Sequence, residues 1–158
     1  MLLEILAAPA LAYAAIVGYL AVRQRSFIFH PPAGHPDPGE MARAGFGPAS
    51  GEGEGGATPR FWLSPPREPG DNVVVFLHGN ASTVADGAAK LAPLREAGLG
   101  VMLVEYPGYG GAPGAPSEAS ILGQAEEALA RLASAGTAPG RIVLWGESLG
   151  TGVATRLA

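Results

Sequence analysis

The sequence predicts a parallel β-sheet flanked by helices, and three observations carry that expectation. Val73–Leu77, Val101–Glu105 and Ile142–Trp145 are short apolar runs rich in β-branched residues, typical of strands buried on both faces. Each is followed by a segment with helical apolar spacing, and such alternation is the signature of right-handed βαβ units. The third run ends in Ser148, flanked by Gly146 and Gly150, and becomes helical at once. The neighbours of a serine on so sharp a turn must be tiny, because the backbone doubles back to van der Waals distance.

From the N-terminus, Ile5 to Val22 carries no charge, and as a helix at about 1.5 Å per residue it reaches roughly 27 Å, close to a bilayer core. The expectation is a single transmembrane anchor over 5–22. A cleaved signal peptide with Ala12-Tyr13-Ala14 as its small-x-small site is the competing reading, as is a buried soluble helix. Glu4 precedes the run and Arg23 and Arg25 follow it, which is the reverse of a signal peptide's charge order and a weak vote for a cytoplasmic C-terminal side. Orientation stays open.

Residues 23–59 form the next division, a juxtamembrane segment and linker. Gln24 to Pro32 reads as extended, closed by two prolines, and Ala33 to Pro59 is dense in Gly and Pro with little periodicity. The third division, 60–158, holds the α/β domain. Arg60-Phe61-Trp62-Leu63 opens it as a short strand, ended by Ser64-Pro65-Pro66. Val84 to Ala97 is expected as one helix capped by Gly98, with Ser82 as a helix-cap candidate. Ser117 is expected to cap a helix to about Ala135, with Ile121, Leu122, Ala125, Leu129 and Leu132 on one stripe.

Composition removes several function classes. The net charge of −4 leaves no basic patch for a phosphate backbone, so no nucleic-acid partner is expected. With no cysteine the chain has neither disulfides nor thiolate metal sites, and neither a metal nor a cofactor is expected. Gly146-x-x-x-Gly150-x-Gly152 also fits a dinucleotide-binding turn. That turn should open its domain rather than come last, and the only lysine, Lys90, sits in no Walker motif.

A parallel sheet brings the carboxyl ends of its strands to one edge, so Asn80 and Ser148 should face the same crevice. Three motifs, HGNAS (His78 to Ser82), EYPGYG (Glu105 to Gly110) and GESLGTGVA (Gly146 to Ala154), resemble the α/β-hydrolase superfamily. They are most like its small membrane-anchored serine hydrolases, some of which are acyl-protein thioesterases, and QRSFIFHPP resembles the segment after the anchor in those proteins. The resemblance covers Asn72 to Ala158 well and the N-terminal quarter loosely. It implies Ser148 as nucleophile on an elbow formed by Gly146 and Gly150, and an oxyanion hole from the backbone N–H groups of Asn80 and Leu149. The substrate it implies is a small-molecule or acyl-protein ester or thioester.

A serine hydroxyl needs an imidazole to take its proton, and the imidazole needs a carboxylate to hold it. In this family the order is Ser, then acid, then His, yet Leu149 to Ala158 contains neither an acid nor a histidine. His78 is expected to hydrogen-bond locally, and His30 and His35 lie in the proline-rich stretch. The expectation is therefore the N-terminal part of a longer hydrolase, inactive by itself, in which a further strand would lie beside Ile142–Trp145. A non-catalytic membrane-tethered binding module is the alternative. Glu105 and Glu147 are expected to hold turn backbone, Tyr106 and Tyr109 to wall the crevice, and the bland reading of Ser148 is a helix cap.

Overall fold

The computed structural model describes residues 2–158 other than 50, 54 and 56, with side chains described from residue 7 onward. It divides into two compact units, residues 1–30 and 31–158. Ile5 and Leu6, which begin the expected span, and Ser50, Glu54 and Gly56 of the expected linker therefore lie outside the described side chains.

The first unit is a single helix, α1 (Leu2–Ile28). It runs past Arg23 through the stretch expected to be extended, because no breaker occurs between Gln24 and Ile28. The chain leaves the helix only at Phe29 and His30, where Pro31 disfavours helical geometry for the residue before it. Among the described residues no helix is long and apolar enough to cross a membrane. The described part of α1 includes Pro9 and carries Arg23 and Arg25 before it ends at Ile28, and its apolar side chains are exposed, Leu11 by 70% and Val22 by 82%.

In the second unit a five-stranded mixed sheet has the order β1-β2-β4-β3-β5, with β1 (Gly47–Pro48), β2 (Phe61–Ser64), β3 (Val73–Leu77), β4 (Gly100–Val104) and β5 (Ile142–Gly146). The last three are parallel as expected, whereas β2 runs antiparallel to both β1 and β4. Leu77 lies opposite Val104 on one side and Gly146 on the other. The residues that follow, His78, Glu105 and Glu147, therefore leave the sheet at one edge. This register gathers the site.

The stretch expected to be a linker contributes to the core. Asp37 accepts the Glu40 N–H at 2.7 Å and caps α2 (Pro38–Arg43), with Pro38 at the first helical position. Met41 and Phe46 are 2% exposed and pack with Trp62, Phe76, Val84, Leu91 and Leu103, each such side chain contributing about 1.5–3 kcal/mol of transfer free energy. The helix expected over Val84 to Ala97 is two, α3 (Val84–Lys90) and α4 (Ala92–Glu96). Pro93 lacks the N–H that would continue α3 and its ring crowds the preceding turn, so the chain breaks at Leu91. Thr83, not Ser82, caps α3: Asp86 accepts the Thr83 N–H at 2.9 Å and the Ser82 hydroxyl at 2.9 Å.

Ser117 caps α5 (Glu118–Ser134) as expected, accepting the Ser120 N–H at 3.1 Å. Ile121, Ala125 and Leu132 of the expected stripe are buried, but Leu122 and Leu129 are half-buried and Gln124 and Ala128 take their places inward. α3 and α4 pack on β4, α6 (Leu149–Leu157) packs on β3 and β5, and α5 touches both α6 and β4. β5 is the edge strand, with Val143 43% and Trp145 42% exposed. Among the described residues no strand lies beyond it.

Candidate active site

The strand-to-helix turn after β5 is built as the glycines require. A Cβ on Gly146 would overlap the Gly150 and Thr151 backbone of the first turn of α6, and one on Gly150 would overlap the carbonyl of Leu77. Only with both positions bare can the start of α6 close against β3 and β5. The Glu147 N–H extends the ladder by donating to Leu77 O at 3.0 Å.

Ser148 sits at the apex with φ 48° and ψ −110°, the only non-glycine residue with positive φ among the described residues. A single residue held in this sparsely populated region costs on the order of 1–3 kcal/mol and persists only where the surroundings enforce it. Ser148 occupies the cap position of α6, but its side chain is exposed and makes no helix-capping hydrogen bond. The Leu149 N–H opens the first turn of α6, where backbone donors lack intrahelical partners and the helix dipole favours negative charge.

The turn after β3 lies against this serine: a Cβ on Gly79 would stand 3.5 Å from Ser148 Cβ. Sequence and structure thus agree in bringing Ser148, Leu149 and the His78-Gly79-Asn80 turn to one sheet edge. His78 does hydrogen-bond locally, its Nδ1 2.8 Å from Gly79 O. Its Nε2 lies 2.9 Å from Glu105 Oε1, and both side chains are fully buried. The other Glu105 oxygen accepts the Val84 N–H at 3.2 Å, so Glu105 does hold backbone, that of α3. Tyr106 donates to His78 O at 3.0 Å and Tyr109 to Asn80 Oδ1 at 2.6 Å. Burial first, then the charges of Glu105 and Tyr109, push the Tyr106 hydroxyl far above its ordinary range, so it stays a neutral donor.

Two of these contacts were missed by sequence reasoning, the His78–Glu105 pair and the ion pair of Glu147 with Lys90. A signal for the first existed. His78 and Glu105 each follow a buried parallel run, and neighbouring parallel strands align their ends. The Lys90 pair joins α3 to the elbow and depends on a helix orientation that spacing does not reveal. His30 Nε2 lies 3.0 Å from Phe27 O, and the His35 ring packs on Gly111. Among the described residues no group of three or more His, Asp or Glu side chains is placed to hold a metal ion.

A strained serine between a parallel strand and a helix, faced by a second strand-end turn, sits on a sharp strand-turn-helix elbow of an α/β fold. The chain belongs to the alpha/beta hydrolase family, whose sequence model matches residues 74–158. It is 33% identical over 159 residues to the uncharacterized protein MT2364 of Mycobacterium tuberculosis, a match covering 99% of this chain and 56% of that protein. It is also 35% identical over 98 residues to the lysophosphatidylserine lipase ABHD12 of Danio rerio, covering 61% of this chain and 25% of that one. The chain thus spans about half the length, or less, of these curated relatives. Among solved structures, esterase LipW from Mycobacterium marinum shares the fold with a TM-score of 0.54 at 22% identity, over 75% of this chain and 40% of that one.

Proposed function

We propose that the protein is a serine hydrolase of acyl esters or thioesters that works through an acyl-enzyme on Ser148. The observation that carries the reading is the strained, exposed Ser148 set against the Gly79 turn. Ser148 Oγ attacks the acyl carbonyl carbon and the carbonyl π electrons move to oxygen. The N–H groups of Asn80 and Leu149 donate to that developing alkoxide, an effect worth about 3 kcal/mol per donor. Collapse re-forms the carbonyl and breaks the bond to the leaving group, which departs with the Ser148 proton as the alcohol or thiol; water then adds to the acyl-enzyme, and the acid leaves as a proton returns to Ser148 Oγ. The lysophosphatidylserine lipases among the relatives favour an acyl lipid ester as substrate class.

Proton transfer from Ser148 requires an imidazole. His78 has its ring nitrogens turned to Gly79 O and Glu105, and Leu149 to Ala158 carries no histidine or acid. The 158 residues alone are therefore expected to give no turnover; a non-catalytic membrane-tethered binding module is the second reading.

Membrane attachment through α1 belongs to the same proposal, as a single pass with orientation left open. It is supported by the uncharged run from Ile5 to Val22 and by the exposed apolar side chains around the helix.

The reading is tested on the gene product purified from its native host, assayed with p-nitrophenyl acyl esters and with lysophospholipids. Turnover should fall by at least 10³-fold in Ser148→Ala, the scale of losing a nucleophile. Turnover that survives the substitution contradicts the assignment, and none in the native product supports the binding module.

A further inference from the structure

We propose that Lys90 neutralises the carboxylate that the elbow carries beside its serine and thereby raises the rate at which Ser148 is acylated, a role that rests on the Ser148 reading above. Glu147 directly precedes the serine, and its backbone is pinned by the N–H bond to Leu77 O at 3.0 Å. The two side chains flank one glycine: a Cβ on Gly79 would stand 4.0 Å from Glu147 Cγ and 3.5 Å from Ser148 Cβ. The elbow thus brings a carboxylate and a nucleophile to the same turn.

Attack by Ser148 Oγ gathers negative charge on the former carbonyl oxygen. A neighbouring carboxylate opposes that charge, because the repulsion of two anions falls only as the inverse of their separation. At about 10 Å and an effective dielectric constant of about 40, one unbalanced anion slows the step roughly fourfold.

Lys90 supplies the balance. Its Nζ donates to Glu147 Oε2, and the ammonium lies 5.9 Å from the centroid of the Phe76 ring, whose face also attracts a cation. Asp86, four residues earlier on α3, is turned to Ser82 and Thr83 instead. Lys90 is the only lysine in the chain, and its place on α3 lets it meet the elbow. Folding gives the pair little reason to exist: the two side chains are 44% and 42% exposed, and ion pairs so open to solvent contribute little stability. What the pair changes is the field beside Ser148. Lys90 therefore acts on the reaction through Glu147, without touching the substrate.

The test is kcat/KM for p-nitrophenyl acetate, an uncharged ester, with the native gene product and its variants. Lys90→Met should lower kcat/KM about fourfold at low salt, and adding Glu147→Gln to it should restore the parent rate to within about twofold. Salt near about 1 M, where the Debye length is about 3 Å, should raise the Lys90→Met rate toward that of the parent. A pair that merely clamps α3 to the elbow would leave the double variant as slow as Lys90→Met, and that result overturns the proposal. So does an unchanged rate in Lys90→Met. Should Lys90→Met fail to fold, Glu147→Gln decides: a rate at or above the parent's agrees with relieved repulsion, and a lower one contradicts it. An inert parent removes the Ser148 reading and this role with it, whereas an active parent indifferent to Lys90→Met removes this role only.

Discussion

At the scale of single residues, the turn depends on what Gly146 and Gly150 lack and on what Ser148 endures. A methyl at Gly150 meets the Leu77 carbonyl, which belongs to the core of the sheet and cannot step aside. Gly150→Ala should therefore destabilise the protein by about 2 kcal/mol or more, read as a lower urea midpoint. A midpoint within error of the parent would show that the turn is looser than its geometry. The need for both glycines was legible in the sequence, because a serine between two of them after an apolar run leaves few alternatives. The partners of His78 and Glu105 were only half legible. Sequence predicted that each holds a turn, but which atoms meet is set by register across β3 and β4.

At the scale of elements, the parallel strands and α5 follow from apolar runs and a serine cap, and these could be read in advance. α2 and β1 could not be recovered from periodicity, since six- and two-residue elements are too short to show one. The signal present was chemical: Asp37 before Pro38, with Met41 turned inward. A charge network ties this region to α5. Arg60 binds Glu52 and Glu127, and Arg131 binds the same two carboxylates, while both guanidinium groups lie over the Phe61 ring. Partial burial alone would raise the Glu127 carboxyl, but its hydrogen bonds from Arg131 and Arg60 outweigh this and hold it below the ordinary carboxylate range. A carboxyl lowered in the folded state adds stability above its unfolded pKa and loses it as pH falls through the folded value. Glu127→Gln should thus lower the denaturation midpoint at pH 7 and match the parent below the ordinary carboxylate range. A difference that persists unchanged into acid would show that packing rather than charge holds Glu127.

At the scale of the whole molecule, sequence gave the mainly parallel sheet but not the antiparallel β2, because a four-residue strand carries no mark of its direction. The stretch expected as a span, Ile5 to Val22, lies within a helix, but among the described residues no helix is long and apolar enough to cross a membrane, and membrane attachment through α1 is open to a direct check. The full chain should stay with the membrane fraction through carbonate washing, and a version with Ile16→Asp and Leu20→Asp should be released; parent protein found in the wash would rule out the single pass. Trp145 and Val143 stand exposed along the edge strand β5, next to the turn that carries Ser148. The described sheet therefore places its chemistry on a strand paired on one side only. The claim on which everything else rests is that Ser148 is the nucleophile, and labelling with a fluorophosphonate probes that chemistry most directly. The native gene product should acquire one covalent adduct, mapped by mass spectrometry to the peptide containing Ser148 and absent in Ser148→Ala. An adduct on another residue, or labelling undiminished in Ser148→Ala, would contradict the account.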